Sequence, residues 1–86
     1  MEMLEVIGEP IQVCAHFRGG RVLPLWFDWQ CRRYRIEETR SRWVTSEGTG
    51  RCYHFAVTVD DGADLYEIFL RSETMIWRLA KIDVPG

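Results

Sequence analysis

Along the chain, runs rich in Val, Ile, Tyr, Phe, Trp and Thr are separated by short polar clusters: RGGR at 18–21, WQCR at 29–32, SEGTGR at 46–51, DDGA at 60–63 and RSET at 71–74. β-branched and aromatic residues suit a pleated, half-buried surface, and clusters of Gly, Asp, Ser and Arg between them suit tight turns, so the pattern predicts an antiparallel meander. Asp61-Gly62 is the dipeptide a two-residue hairpin turn favours. Counting outward from it sets Val57 opposite Tyr66, Phe55 opposite Ile68 and Tyr53 opposite Leu70, three apolar pairs on one face. A four-residue loop at 71–74 would then set Leu70 opposite Met75, Ile68 opposite Trp77, Tyr66 opposite Leu79 and Glu67 opposite Arg78.

The second face of these strands carries Leu65, Phe69 and Ile76, too much apolar surface to leave bare. Strand 22–29, VLPLWFDW, is apolar on both faces. Both observations favour an all-β fold of five to six antiparallel strands, curved strongly or rolled into a small, partly open barrel. Curvature, the N-terminal strand or a second copy in a homodimer would cover the remaining face. At 86 residues there is room for a single domain, residues 1–86.

Charge narrows the function classes. With 11 basic and 13 acidic residues the chain has no whole-surface attraction for nucleic acid or membrane, so any such binding is local. The local exception is residues 30–51, where Arg32, Arg33, Arg35, Arg40, Arg42 and Arg51 outnumber Glu37, Glu38 and Glu47. If Gln30-Cys31 is a two-residue turn, Phe27 faces Tyr34 and Leu25 faces Ile36 toward the core. Asp28 then meets Arg33 as an ion pair and Trp26 meets Arg35 as a cation–π pair on the outside. The apolar parity shifts between Ile36 and Trp43, which predicts a bulge in 38–41 with Arg40 and Arg42 facing outward. Ordinary strand alternation accounts for such a solvated face. Arginines beside aromatic rings are also what single-stranded nucleic acid binds, and that is the second reading.

Cys14, Cys31 and Cys52 are an odd, widely spaced set that fits reduced thiols, and the start MEMLEVIGEP has no basic leader or membrane-length apolar run, so the expected location is the cytoplasm. The CAH and CYH strings space Cys14 with His16 and Cys52 with His54 as zinc ligands on a strand would be. Against zinc, the expected registers set His16 beside Leu23 on a core-like face and His54 opposite Phe69 on the other. No nucleophile elbow, oxyanion glycine motif, carboxylate dyad or phosphate-cradling loop is recognisable, which points to a non-enzyme without cofactor.

The strings Gly8-Glu9-Pro10-Ile11, FDWQCRRYRIEE, the lone Trp43, Tyr66-Glu67-Ile68 and Trp77-Arg78-Leu79 resemble a family of small bacterial all-β domains of unknown function. Its plan is G-E-P-I, F-x-W-x-x-R-x-Y-x-V, a single Trp, then Y-E-L and W-R-L. Related domains end some proteins resembling Y-family translesion DNA polymerases. The resemblance implies a docking or accessory role in the company of DNA-damage tolerance and assigns no catalytic residue. Cys31 stands where the family plan has Gly, so a tight turn at 29–32 would be strained. The expectation is therefore a small interaction module with a protein partner. Its candidate contacts are Trp26, Arg33, Arg35, Arg40 and Arg42, because Trp and Arg dominate interface energetics.

Overall fold

A computed structural model describes residues 3–60 and 62–84, with only the backbone at 3–6 and 47. Asp61, half of the expected Asp-Gly turn, lies outside the described residues. The fold is all-β. Six strands run up and down in chain order: β1 (Met3–Arg18), β2 (Arg21–Trp29), β3 (Arg32–Glu47), β4 (Gly50–Val59), β5 (Leu65–Arg71) and β6 (Ile76–Val84). Each pairs antiparallel with the next, and β6 returns to β1 to close a barrel.

Turn chemistry explains much of this path. Gly19 and Gly20 both take positive φ, as a two-residue type I′ turn requires, and Gly48 takes it at the first position of the Gly48-Thr49 turn. Gln30 and Cys31 also lie at positive φ, 51° and 60°, so the 29–32 turn keeps the two-residue form despite lacking Gly. β1 and β3 are long enough to serve two neighbours each. Residues 3–11 of β1 pair with β6 and 12–18 with β2, while 32–35 of β3 pair with β2 and 36–47 with β4. The bend in β1 falls at a register shift between Val6 and Glu9, where Gly8 has a φ of 72°.

The inward faces fill the barrel with side chains. Phe27, Val57, Ile68 and Leu79 are fully shielded from solvent, each contributing roughly 1.5–3 kcal/mol by burial. Tyr34 stacks on Phe27 at 5.1 Å, Tyr66 tilts against both rings at 5.6 Å, and Phe55 packs on Trp77.

Several expected registers hold. Tyr53 pairs with Leu70, Phe55 with Ile68 and Val57 with Tyr66. Trp26 pairs with Arg35, Phe27 with Tyr34 and Asp28 with Arg33. The β5–β6 register differs from expectation by two residues, because the loop is Ser72–Met75 and Arg71 still pairs, with Ile76. Leu70 therefore meets Trp77 and Ile68 meets Leu79, and a bulge then sets Tyr66 opposite Ile82. Glu67 faces Lys81, at 3.5 Å, rather than Arg78. Arg78 instead lies opposite Phe69 and donates to the Gly8 carbonyl at 3.1 Å.

Leu25 is 48% exposed rather than turned to the core. It is the extra residue at the shift where Cys14 pairs with Trp26 and Ala15 with Pro24. β3 carries two shifts, one at Glu37 and one at Arg40, where a single bulge in 38–41 was expected. Two shifts cancel in parity. Arg42 therefore shares the inner side with its partner Phe55, and Trp43 turns outward with His54.

Candidate functional site

In an up-and-down barrel alternate turns gather at the same end. The β1–β2, β3–β4 and β5–β6 turns thus share one rim, and the Thr49 hydroxyl donates to Glu73 Oε1 across two of them. At this rim the barrel wall is incomplete. β2 and β3 pair only from Trp26–Trp29 to Arg32–Arg35, so among the described residues Arg21–Leu25 and the second half of β3 have no strand between them. The gap is a cleft of about 240 Å³ that we call the mouth.

Its walls combine inward-facing positions of β2, β3 and β4 with the tip of the β1–β2 hairpin, and Trp43 and His54 border it. Val22, Arg21 and Gly20 line one side, and Arg42, Val44 and Tyr53 line the other, above Phe55. Val22 and Tyr53 still pack against the core, which fixes the cleft to the rigid part of the barrel. Phe17, cross-strand partner of Val22, is 60% exposed, and Val44 is 54% exposed. Met75 and Ile76 are exposed at the neighbouring β5–β6 turn. Among the described residues, most of the exposed large apolar side chains therefore lie toward this end of the barrel, with Trp43 and Val44 in the mouth itself.

The outer wall beside the mouth is an aromatic ladder. Trp43 stacks on His54 at 5.1 Å and 3° between planes, and His54 tilts against Phe69 at 5.5 Å. His54 Nε2 lies 2.8 Å from the Thr45 hydroxyl. The ladder ties β3 to β4 and β5 on their outer face beside the mouth.

The mouth is cationic. Arg21 and Arg42 line it, Arg18 sits directly across the hairpin from Arg21, and no carboxylate is among the lining residues. Among the described residues none of these three arginines has an ion-pair partner. Two like charges held opposite each other at a hairpin tip cost stability, so packing alone does not account for them.

The arginines singled out by sequence divide on this test. Arg33 bonds Asp28 at 2.9 Å and lies over the Trp26 ring, so the cation–π partner of Trp26 is Arg33 and not Arg35. The Arg33 hydrogen bond holds the Asp28 carboxyl below the usual carboxylate range. Arg35 reaches Asp60 at 3.9 Å and Arg40 reaches Glu38 at 2.7 Å. Trp26, Arg33 and Arg35 lie on the outer face away from the mouth, and only Arg42 belongs to the cleft. Sequence reasoning missed Arg21, Val22, Val44 and Tyr53 as site residues. The two-bulge path of β3 that brings them together has no short sequence signature.

The proposed zinc pairs are not brought together. Cys14 and His16 lie on β1, Cys52 and His54 on β4, and those strands are not neighbours in the barrel. His16 is exposed rather than core-facing, while His54 does oppose Phe69. Among the described residues no three Cys, His, Asp or Glu side chains converge on a metal-sized site.

At the opposite end, Tyr34, Tyr66, Arg32, Asp60 and Asp64 surround a polar recess. Burial, with Asp64 and Tyr34 adding, pushes the Tyr66 hydroxyl above its ordinary value.

No known family, curated protein or solved structure matches this chain. The functional reading therefore rests on the mouth itself.

Proposed function

We propose that this protein is a non-enzymatic docking module whose mouth, between the β1–β2 and β3–β4 hairpins, receives a partner protein. One observation carries the reading: exposed Val44 and arginines without acidic partners among the described residues (Arg21, Arg42) line the same cleft, with exposed Phe17 beside the wall residue Val22. A buried apolar centre ringed by arginine is the anatomy of a protein interface. DNA-damage tolerance in a bacterial cytoplasm is the setting we attach to this role, and it rests on the family resemblance alone.

Single-stranded nucleic acid is less well supported as the ligand. Arg33, Arg35 and Arg40 are occupied by Asp28, Asp60 and Glu38. One face of the Trp43 ring is already stacked on His54. Base stacking and phosphate contact need those groups free.

Panning a random peptide library against the protein, and against a Phe17→Glu, Val44→Glu variant, tests the docking role. The expected result is a set of enriched peptides that bind the unaltered protein and not the variant. Absence of enrichment, or peptides indifferent to the double substitution, would overturn it.

A further inference from the structure

Backbone groups at the mouth point to how a partner would bind. The Gly48-Thr49 turn is closed by Glu47 and Gly50, and the closing pair of a two-residue hairpin exchanges both of its backbone hydrogen bonds. Bonding then alternates along β3, so Thr45 and Trp43 bond to β4 while Ser46, Val44 and Arg42 aim N–H and C=O the other way. Arg51, the partner of Ser46, confirms this phase. Its N–H donates to Ser72 Oγ and its carbonyl accepts from the Ser72 N–H, both at 2.8 Å and both away from β3. Arg42, Val44 and Ser46 therefore present a row of backbone donors and acceptors to the gap, where no strand of the described residues pairs with them.

The two edges that border the gap are not equivalent. Along β2, Pro24 has no N–H to offer and Leu25 is bulged, both of which protect an edge against pairing. β3 is bulged at Glu37 and Arg40 but pairs regularly with β4 from Ser41 to Glu47, leaving an unbulged edge roughly 23 Å long at about 3.3 Å per residue. One edge is blunted and the other is left able to pair.

We infer that the mouth binds an extended, acidic segment of a partner protein by strand addition to the free edge of β3, residues 41–47. The inference rests on the docking role proposed above and specifies the occupant. Charge complementarity selects it: Arg42 and Arg21 face the added strand without a lining carboxylate. Side chains of the added strand on the cleft side alternate with those pointing out, so one acidic residue meets Arg42 and an apolar residue two positions away meets Val44 and Val22. A nucleic acid would leave the row of backbone groups unused.

The test uses a fluorescein-labelled peptide of three Glu-Thr-Val-Thr repeats, a matched peptide with Lys for Glu, and oligothymidylate, each titrated by anisotropy. The Glu peptide is expected to bind and the Lys peptide not to. Val44→Pro removes an N–H that β4 does not use. It should weaken the Glu peptide about tenfold or more while the melting temperature stays close to that of the unaltered protein. Arg21→Glu with Arg42→Glu should exchange the preference, so that the Lys peptide binds better. Equal binding by Val44→Pro overturns strand addition, equal binding of the two peptides overturns the acidic occupant, and preferential binding of oligothymidylate overturns both. Failure of the Glu peptide alongside successful panning removes the acidic-strand occupant and leaves the docking surface standing.

Discussion

The Arg33 guanidinium lies 3.7 Å from the centre of the Trp26 ring. The same group donates to both Asp28 carboxylate oxygens, at 2.9 and 3.3 Å. One arginine thus satisfies an aromatic face and an acid on the neighbouring strand, whereas Arg42, on the same strand, serves the mouth. Two exposed arginines in one strand have different work.

Thermal melts separate them. Arg33→Ala should lower the melting temperature, because it removes a stack and two charge-assisted bonds that tie β2 to β3 where Trp26–Trp29 pair with Arg32–Arg35. Arg42→Ala should leave it nearly unchanged and instead weaken peptide binding. Equal melts for the two variants would show that the Arg33 stack contributes nothing to the fold.

Acid should weaken this tie in a defined direction. Asp28 has a folded pKa held below its ordinary value of 3.8, chiefly by the Arg33 hydrogen bond. A group depressed in the folded state contributes its stability above the ordinary value and loses it as pH falls through the folded one. Chemical denaturation across the range below about pH 4 should show a shallower acid decline for Asp28→Asn than for the unaltered protein. A parallel decline would place the acid sensitivity elsewhere.

The parts legible in sequence were those governed by turn chemistry. The Gln30-Cys31 turn sets its register by counting, and Phe27 pairs with Tyr34 as that counting requires. Counting from Asp61-Gly62 also gives the observed Phe55–Ile68 pair, but β4 ends at Val59, β5 starts at Leu65 and Gly62 is not at positive φ, so that register stands without the expected tight turn. Four residues do form the β5–β6 loop, but they are 72–75, with Met75 at a φ of 59°. Methionine is not a residue that announces a left-handed position. The mouth was illegible for a related reason. It exists because Leu25, Glu37 and Arg40 are extra residues that move β2 away from β3 and return Arg42 to the inner side. Bulges of this kind depend on how strands pair across the whole barrel, so a local pattern of apolar residues shows that parity changes and not how many times.

Cys31 is a place where the chain carries local strain. At a φ of 60° a non-glycine residue pays for a left-handed backbone about 1–2 kcal/mol, against about 0.5–1 kcal/mol for the extra unfolded-state freedom of glycine. Cys31→Gly should therefore stabilise the protein by about 0.5–1 kcal/mol, read as a higher urea midpoint with an unchanged slope. Cys31 is exposed, so no packing is lost. A lower midpoint would mean that the turn gains more from the Cys side chain than its backbone loses.

The alkaline limit of stability should be set in part by Tyr66. Its ring lies 5.6 Å from both Phe27 and Tyr34 inside the closed end of the barrel, and burial there, with the nearby Asp64 and Tyr34, raises its pKa above the ordinary 10.0. The neutral phenol is thus favoured in the folded chain. A raised folded pKa contributes stability fully below the unfolded value and loses it as pH rises through the folded one, because the unfolded chain ionises first. Unfolding free energy should accordingly fall with increasing slope as the pH passes about 10. Tyr66→Phe keeps the ring and removes the ionising hydroxyl, so its stability should fall less steeply over the same range while differing little near neutrality. Denaturant melts of both proteins from pH 8 to 11.5 give the comparison. Equal slopes would show that Tyr66 does not carry the alkaline transition.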